Sequence, residues 1–279
     1  MDCSTPDGPD AFAVRLETEG LVELPGRPFV LAPEESELVS PRFADGRAKN
    51  ISLGPAGGVR GAATDPAAQQ RLAALMGRYR AWAESMIHKA APRYAASLER
   101  GRASLRTRDV ADGARSRRKD DRRLHIDAFA SQPTGGRRIL RVFTNINPTD
   151  EPRRWRVGEP FEIHARRWAS KVRRPWPGEA TLLRRLGITR AIRTPYDALM
   201  LGLHDAAKLD DAYQRSAPAH DRIFPPGASW VVFTDSVVHA AIGGRFMLEQ
   251  TFYLPLAAMA VPEVSPARVL ERVTGRALF

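Results

Sequence analysis

From Leu124 onward the sequence takes up a period of two. Leu124-His-Ile-Asp-Ala-Phe129 and Arg138-Ile-Leu-Arg-Val-Phe-Thr-Asn-Ile146 read as strands, because alternating side chains point to opposite faces of a pleated backbone. Pro133-Thr-Gly-Gly136 lies between them and reads as a turn. A third β-rich stretch fills 229–255, where two such runs flank Gly243-Gly244, the signal of a hairpin. Strands at both ends of this region, with helices packed outside, predict one β-barrel or jelly roll carrying an α-helical layer.

The helices announce themselves separately. Pro33 followed by Glu34 and Glu35 predicts a short helix with acids in its first turn, where the dipole favours them. After the glycine-rich loop 54–65, Asp65 caps a long amphipathic helix opened by Pro66. Leu72, Leu75, Met76, Tyr79, Trp82, Ala83, Met86 and Ile87 form its core face, and Pro92 stops or kinks it. Thr194-Pro195 starts a second good helix with Leu199, Met200, Leu203 and Ala207 on one side, and Pro175 and Pro177 break shorter helical pieces over 159–193. Residues 1–30 add a strand or two. The 279 residues are expected to form one domain. Residues 1–100 would support a β core over 101–260, which carries a helical insertion at about 159–220.

Charge narrows the partner. The chain carries a formal net charge of +11, much of it in the arginine-rich runs 100–123 and 153–177. Guanidinium forks match phosphate and carboxylate oxygens, so an anionic partner is expected, although a solvated arginine-rich face would have the same composition. The single cysteine, Cys3, excludes an intramolecular disulfide and a cysteine metal site. No apolar run reaches membrane-spanning length, and the opening MDCSTPDGPD is acidic and polar, unlike a signal peptide.

On a strand, residues i and i+2 share a face, so His125 and Asp127 project together. A second histidine from a distant strand would complete a two-histidine, one-carboxylate triad. Such a triad leaves coordination positions open and suits non-haem Fe(II) oxygenases. His239, preceded by strand-like Val237-Val238, stands in that place. His-x-Asp alone occurs by chance, and an exposed polar strand face would look the same. The distant histidine and the neighbouring arginine-rich strand add weight to the metal. The other histidines have no matching strand carboxylate: His88 reads as a surface residue, His164 as a strand-to-helix junction, His204 as a packed or hydrogen-bonded residue at the edge of the core on a helix beside Leu203, and His220 as part of a polar loop.

The blocks 117–148, 154–162, 195–214 and 229–255 together resemble the Kdo hydroxylases, Fe(II)/2-oxoglutarate dioxygenases that act on the 3-deoxy-D-manno-octulosonic acid (Kdo) sugars of lipopolysaccharide. The resemblance runs from about residue 100 to 255. It implies a mainly β fold with an α layer, a double-stranded β-helix (jelly roll, cupin-like) flanked by helices. It implies Fe(II) on His125, Asp127 and His239, with 2-oxoglutarate and O2 as cosubstrates and succinate and CO2 as coproducts. The acceptor would be C3 of Kdo, giving the talo-octulosonic acid Ko. The far carboxylate of 2-oxoglutarate needs a buried cation. Positions 248–250, where many dioxygenases carry it, hold none. Arg141 is preferred, with Asn145 beside it and Arg245 at the hairpin turn as the runner-up. Arg115, Arg117, Arg118, Lys119, Arg122 and Arg123 flank the metal strand and are expected to clamp the phosphates and carboxylates of Kdo-bearing lipid A. Other arginines would hold a cytoplasmic protein peripherally against the anionic inner face of the inner membrane. Nucleic acid is not expected as a partner, since aromatic stacking motifs and a nucleotide lid are missing. Two alternatives remain open at this level: a dioxygenase acting on alkylated nucleic acid, and a non-catalytic basic binding module with an accidental His-x-Asp. Iron-dependent turnover of 2-oxoglutarate separates the second from either enzyme.

Overall fold

The computed structural model describes residues 10–24, 28–110, 112 and 116–279, so Cys3 and Arg115 lie outside the described residues. In chain order the elements are α1 (Ala11–Glu19), β1 (Leu21–Glu23), β2 (Ile51–Leu53), β3 (Val59–Arg60), α2 (Pro66–Ala90), β4 (Glu99–Arg106), β5 (Arg138–Asn145) and β6 (Arg153–Val157). There follow α3 (Phe161–Trp168), α4 (Glu179–Arg185), α5 (Pro195–Leu209), α6 (Asp211–Ser216), β7 (His220–Phe224), β8 (Ser229–Phe233), β9 (His239–Gly243), β10 (Met247–Leu254) and α7 (Pro266–Thr274).

The strands form two antiparallel sheets. The larger runs β1-β8-β5-β10-β4-β2-β3 and the smaller runs β7-β6-β9. This is the jelly-roll arrangement with flanking helices that the alternation predicted. On the large sheet, Leu140, Val142, Val231, Phe233, Phe252 and Leu254 pack against Ala13 and Leu16 of α1 and Ala83 and Ile87 of α2. The opposite face meets the small sheet through aromatic side chains. Trp155 stands edge-on to Phe143 at 5.2 Å, and Phe224 stacks on Trp230 with centroids 3.9 Å apart. Burying side chains of this size contributes roughly 1.5–3 kcal/mol each. A second helical layer, α3, α5, α6 and α7, packs around Leu124, Ile126, Val238 and Ala240.

Local signals place the helices. Asp65 accepts from the Ala67 N–H at 3.0 Å, and the stripe Leu72, Leu75, Met76, Tyr79, Ala83 and Ile87 is buried. Thr194 and Asp197 cap α5 reciprocally, and Asp197 Oδ1 also accepts from the Thr134 and Gly135 N–H groups. The Pro133–Gly136 turn is thereby pinned to the start of α5.

Pro33–Leu38 is the expected short helix, of 3-10 form, with Glu34 and Glu35 in its first turn. Two expectations need correction. Leu124–Phe129 is extended but forms no regular strand; it makes one bridge, His125 to His239. Gly243-Gly244 is no hairpin: β9 pairs with β6 in the small sheet, whereas β10 pairs with β4 and β5 in the large one. The glycines let the chain cross between sheets. Gly244 has φ +95°, and a Cβ there would stand 2.7 Å from the Pro152 carbonyl oxygen. Gly244→Ala is therefore expected to cost about 1–3 kcal/mol of stability and to displace Arg153, which donates to the Gly244 carbonyl. Chemical denaturation checks this, and an unchanged midpoint would show that the crossover relaxes freely.

Candidate metal centre

His125, Asp127 and His239 converge where the two sheets meet. The His125 N–H donates to the His239 carbonyl at 3.0 Å and the reciprocal bond is 2.8 Å. Two residues on, the Asp127 N–H donates to the Thr234 carbonyl at 2.7 Å. These bonds hold the irregular segment in the extended form that presents both side chains together. One donor atom from each of the three residues lies within 4.8 Å of the other two, and all three residues are buried.

The hydrogen bonds around the rings settle which nitrogens are available. His125 Nδ1 donates to the Arg123 carbonyl at 2.7 Å, and His239 Nδ1 donates to the Val237 carbonyl at 2.8 Å. A carbonyl only accepts, so both Nδ1 atoms carry protons and both Nε2 atoms are bare lone pairs. His125 Nε2 lies 3.8 Å from Asp127 Oδ1. Burial, ahead of any charge, holds both imidazoles below the ordinary histidine value. Burial would raise Asp127, but the charge of the Arg141 guanidinium beside it brings its carboxyl well below the usual carboxylate range. Two neutral imidazole nitrogens and one carboxylate, turned toward each other with no proton between them, suit a divalent cation.

Arg141 holds the carboxylate ionised. Its guanidinium lies 3.2 Å from Asp127 Oδ2 and 3.1 Å from Glu249 Oε1. Asp127 Oδ2 makes no hydrogen bond beyond this ion pair, and Oδ1 is the oxygen nearest His125 Nε2. Glu249 also binds Arg106 at 2.9 Å, and Arg106 reaches Asp121 at 3.2 Å. Asp121 in turn pairs with Lys49. The alternation of three neighbouring strands builds this array. Arg102, Ser104 and Arg106 of β4, Arg141 and Phe143 of β5, and Met247, Glu249, Thr251 and Tyr253 of β10 all face one cavity of about 990 Å³.

Arg153 of β6 faces the same cavity. It is 1% exposed, donates to the Gly244 carbonyl, leaves its Nε without a partner, and has no carboxylate among the ion pairs of the described residues. Burial, then repulsion from Arg106, pushes it down to about 10. Such a cation calls for an anion. Two residues on, Trp155 stacks on His239 at 5.0 Å.

The sequence-derived candidates divide. His125, Asp127, His239 and Arg141 share the site. Asn145 does not line the cavity: its amide donates to the Phe224 carbonyl at 3.0 Å and its oxygen accepts from the Asn147 N–H. Arg245 is half-exposed, 3.6 Å from Glu151 and over the Phe246 ring. Arg118 and Lys119 line the cavity. Arg117 and Arg122 do not; they pair at the surface with Asp211 and Asp120. Arg123 donates to the Lys208 carbonyl and to Asp211. Two residues were missed or misplaced. Arg153 lay in a run read only as charge, though Arg153, Trp155 and Val157 alternate as a strand does. His204 is hydrogen-bonded as expected, its Nδ1 donating to the Ile126 carbonyl at 2.7 Å, but it also lines the cavity, with its ring 5.3 Å from that of His125. Of the others, His164 is fully buried in α3 and His220 opens β7.

An antiparallel double sheet with a two-histidine, one-carboxylate cluster opening onto a polar cavity defines a class, the non-haem Fe(II) oxygenases. The chain belongs to the Kdo hydroxylase family: the family model for 3-deoxy-D-manno-oct-2-ulosonic acid (Kdo) hydroxylase matches residues 3–277. Among solved structures, the apo form of the Kdo hydroxylase KdoO, a non-haem Fe(II) α-ketoglutarate-dependent dioxygenase, is 41% identical. Its TM-score is 0.92, over 97% of this chain and 91% of that one. The same enzyme with cobalt(II) is 42% identical, with a TM-score of 0.92, and with α-ketoglutarate and Fe(III) it is 40% identical, with a TM-score of 0.91, at the same coverage of both chains. No curated protein sequence matches.

Two outcomes follow. His125→Ala, Asp127→Ala and His239→Ala should each abolish tight Co(II) binding measured by calorimetry while the far-ultraviolet dichroism stays unchanged; a variant that binds normally leaves the ligand set. The second outcome concerns pH. Burial is the largest cause of the depression at His125, His204 and His239. A histidine depressed in the folded state takes up its proton first in the unfolded chain, so stability is lost as the pH falls through the unfolded value of about 6.5. Denaturation midpoints of the metal-free protein should fall between about pH 7 and pH 5.5. A flat profile would contradict buried neutral imidazoles.

Proposed function

We propose that this protein hydroxylates C3 of Kdo carried on lipid A or lipopolysaccharide, giving Ko, with Fe(II) held by His125, Asp127 and His239. The observation that carries this is the proton-free donor cluster opening onto a large cationic cavity. With Fe(II), 2-oxoglutarate and O2 bound, the centre supplies oxidative decarboxylation to succinate and CO2 and transfer of the second oxygen atom into a C–H bond.

The chain's own residues orient and neutralise. Arg153 fits the far carboxylate of 2-oxoglutarate, because it is the buried cavity cation without a carboxylate partner among the described residues. The sequence favoured Arg141, which is committed to Asp127 and Glu249. Arg141 and Arg106 flank the same space and keep it positive. Trp155 fixes the plane of His239 and shields one side of it from water. The wider mouth carries Lys49, Arg102, Arg108, Arg118, Lys119 and Arg190, and an acid sugar with neighbouring phosphates presents the charges these cations match.

Arg153→Ala should raise the 2-oxoglutarate requirement roughly thirtyfold or more, the equivalent of about 2 kcal/mol for stranding a desolvated carboxylate. It should leave Co(II) affinity unchanged, whereas Arg141→Ala should weaken both by exposing Asp127 to unbalanced burial. The reverse pattern would return the anchor to Arg141. Mass spectrometry of Kdo-bearing lipid A after incubation with the iron-loaded protein should show one added oxygen on the sugar, and an unmodified sugar would sink the assignment.

A further inference from the structure

The segment 171–193, between α3 and α5, is out of character with the rest of the surface. Eleven large hydrophobic residues are exposed among the described residues, and five fall here: Trp176, Leu182, Leu186, Ile188 and Ile192, at 44–63% exposure. Single exposed apolar residues are ordinary; five within seventeen positions of the chain are a density that solvent exposure alone does not account for. The same segment holds seven basic residues (Lys171, Arg173, Arg174, Arg184, Arg185, Arg190 and Arg193) against one acid, Glu179, which Arg173 already binds.

The segment is hung on the rim of the cavity. The Arg190 N–H donates to the Ser131 carbonyl at 2.9 Å, and Arg193 Nη2 donates to the Ala130 carbonyl at 2.7 Å. Arg190 and Ser131 both line the cavity. Thr189 is buried, and Val172 packs where a side chain on Gly202 would stand. The surface is thus anchored at its ends and presented between them.

We propose that residues 171–193 seat the protein on an anionic phospholipid bilayer, with the apolar side chains in the acyl boundary and the arginines among the acidic headgroups. Tryptophan at the interface, leucine and isoleucine below it and snorkelling arginines above are the chemistry of a surface-lying membrane element. Among the described residues no helix is long and apolar enough to cross a membrane, so this attachment is peripheral. A second copy of the chain fits poorly, since a two-fold contact would set the arginines against themselves. A nucleic acid would leave the five apolar side chains in water. The proposal rests on the reading that the Kdo substrate is lipid-borne, and it gives that reading a geometry: the cavity mouth is held at the headgroup layer. It also departs from attachment by charge alone, because apolar insertion survives screening.

The test uses phosphatidylethanolamine–phosphatidylglycerol vesicles and the full chain. The protein should cosediment and stay bound in about 1 M NaCl, where the screening length falls to roughly 3 Å. A blue shift of emission on binding should vanish in Trp176→Phe. The triple variant Leu186→Ser/Ile188→Ser/Ile192→Ser should lose vesicle partitioning by about tenfold or more. It should turn over Kdo-lipid A poorly in vesicles yet normally in detergent. Release of the native protein by salt, or unaltered binding by the triple variant, would overturn the proposal. So would equal loss of turnover in detergent, which would place these residues in the site. A native dimer that the triple variant dissociates would assign the face to a second copy and overturn it as well. Salt-resistant binding without hydroxylation of Kdo in either presentation would support the surface and overturn only the substrate assignment.

Discussion

One guanidinium shared by two buried carboxylates sets the terms for the rest of the site. Arg141 lies between Asp127 and Glu249 where water is excluded, and Glu249 is shared again with Arg106. Burial alone would favour the protonated carboxyls; the arginines reverse that at both positions. A protonated Asp127 would offer the cluster a donor where it needs a lone pair. Breaking a buried pair of this kind costs on the order of 3–5 kcal/mol, because it strands the partner charge. The strand register therefore serves chemistry as well as stability: Thr251 lies opposite Arg141 and Ser104 opposite Glu249, so the charged residues meet diagonally across three strands.

The parts of the structure written in short-range pattern were legible in the sequence. The Asp65 cap, the apolar stripe of α2, the Thr194–Asp197 box and the alternation of β5 all depend on neighbours within a few residues. His125 and Asp127 could be paired for the same reason, and His239 could be added because the chemistry demanded a third donor. What failed depended on distant chain. Gly243-Gly244 has the local signature of a hairpin, yet its neighbours belong to different sheets, a fact set by pairing with β6 and β4 far upstream. Asn145 and Arg245 sit one strand or one turn from the site, but their side chains are claimed by Phe224, Asn147 and Glu151. Arg153 was hidden by its company: Arg154 and Arg156 on the other face made a strand look like a basic tract. His204 could be read from its helix as packed or hydrogen-bonded, but nothing in α5 itself announces that its face meets the donor cluster.

The helical insertion between β6 and β7 has two faces with different work. Inward, α5 brings His204 and Lys208 to the cavity wall, with Lys208 donating to the Arg118 carbonyl at 3.1 Å and lying 3.9 Å from Asp121. Outward, the segment ahead of α5 exposes apolar and basic residues beside the cavity mouth. One insertion thus joins the reacting atoms to the protein's surroundings, and the Asp197 bonds to the Pro133–Gly136 turn tie it to the strand that carries Arg141.

The crossover at Gly244 also bears on how this protein comes into being. His239 is more than a hundred residues from His125 in the chain, and the two meet through the bridge between them while β9 pairs with β6. The complete set of three donors cannot be assembled from a local fragment, and contacts of such long range slow a folding reaction. A fragment that lacks β9 therefore lacks one of the three donors, and a chain whose sheets have mispaired holds them apart.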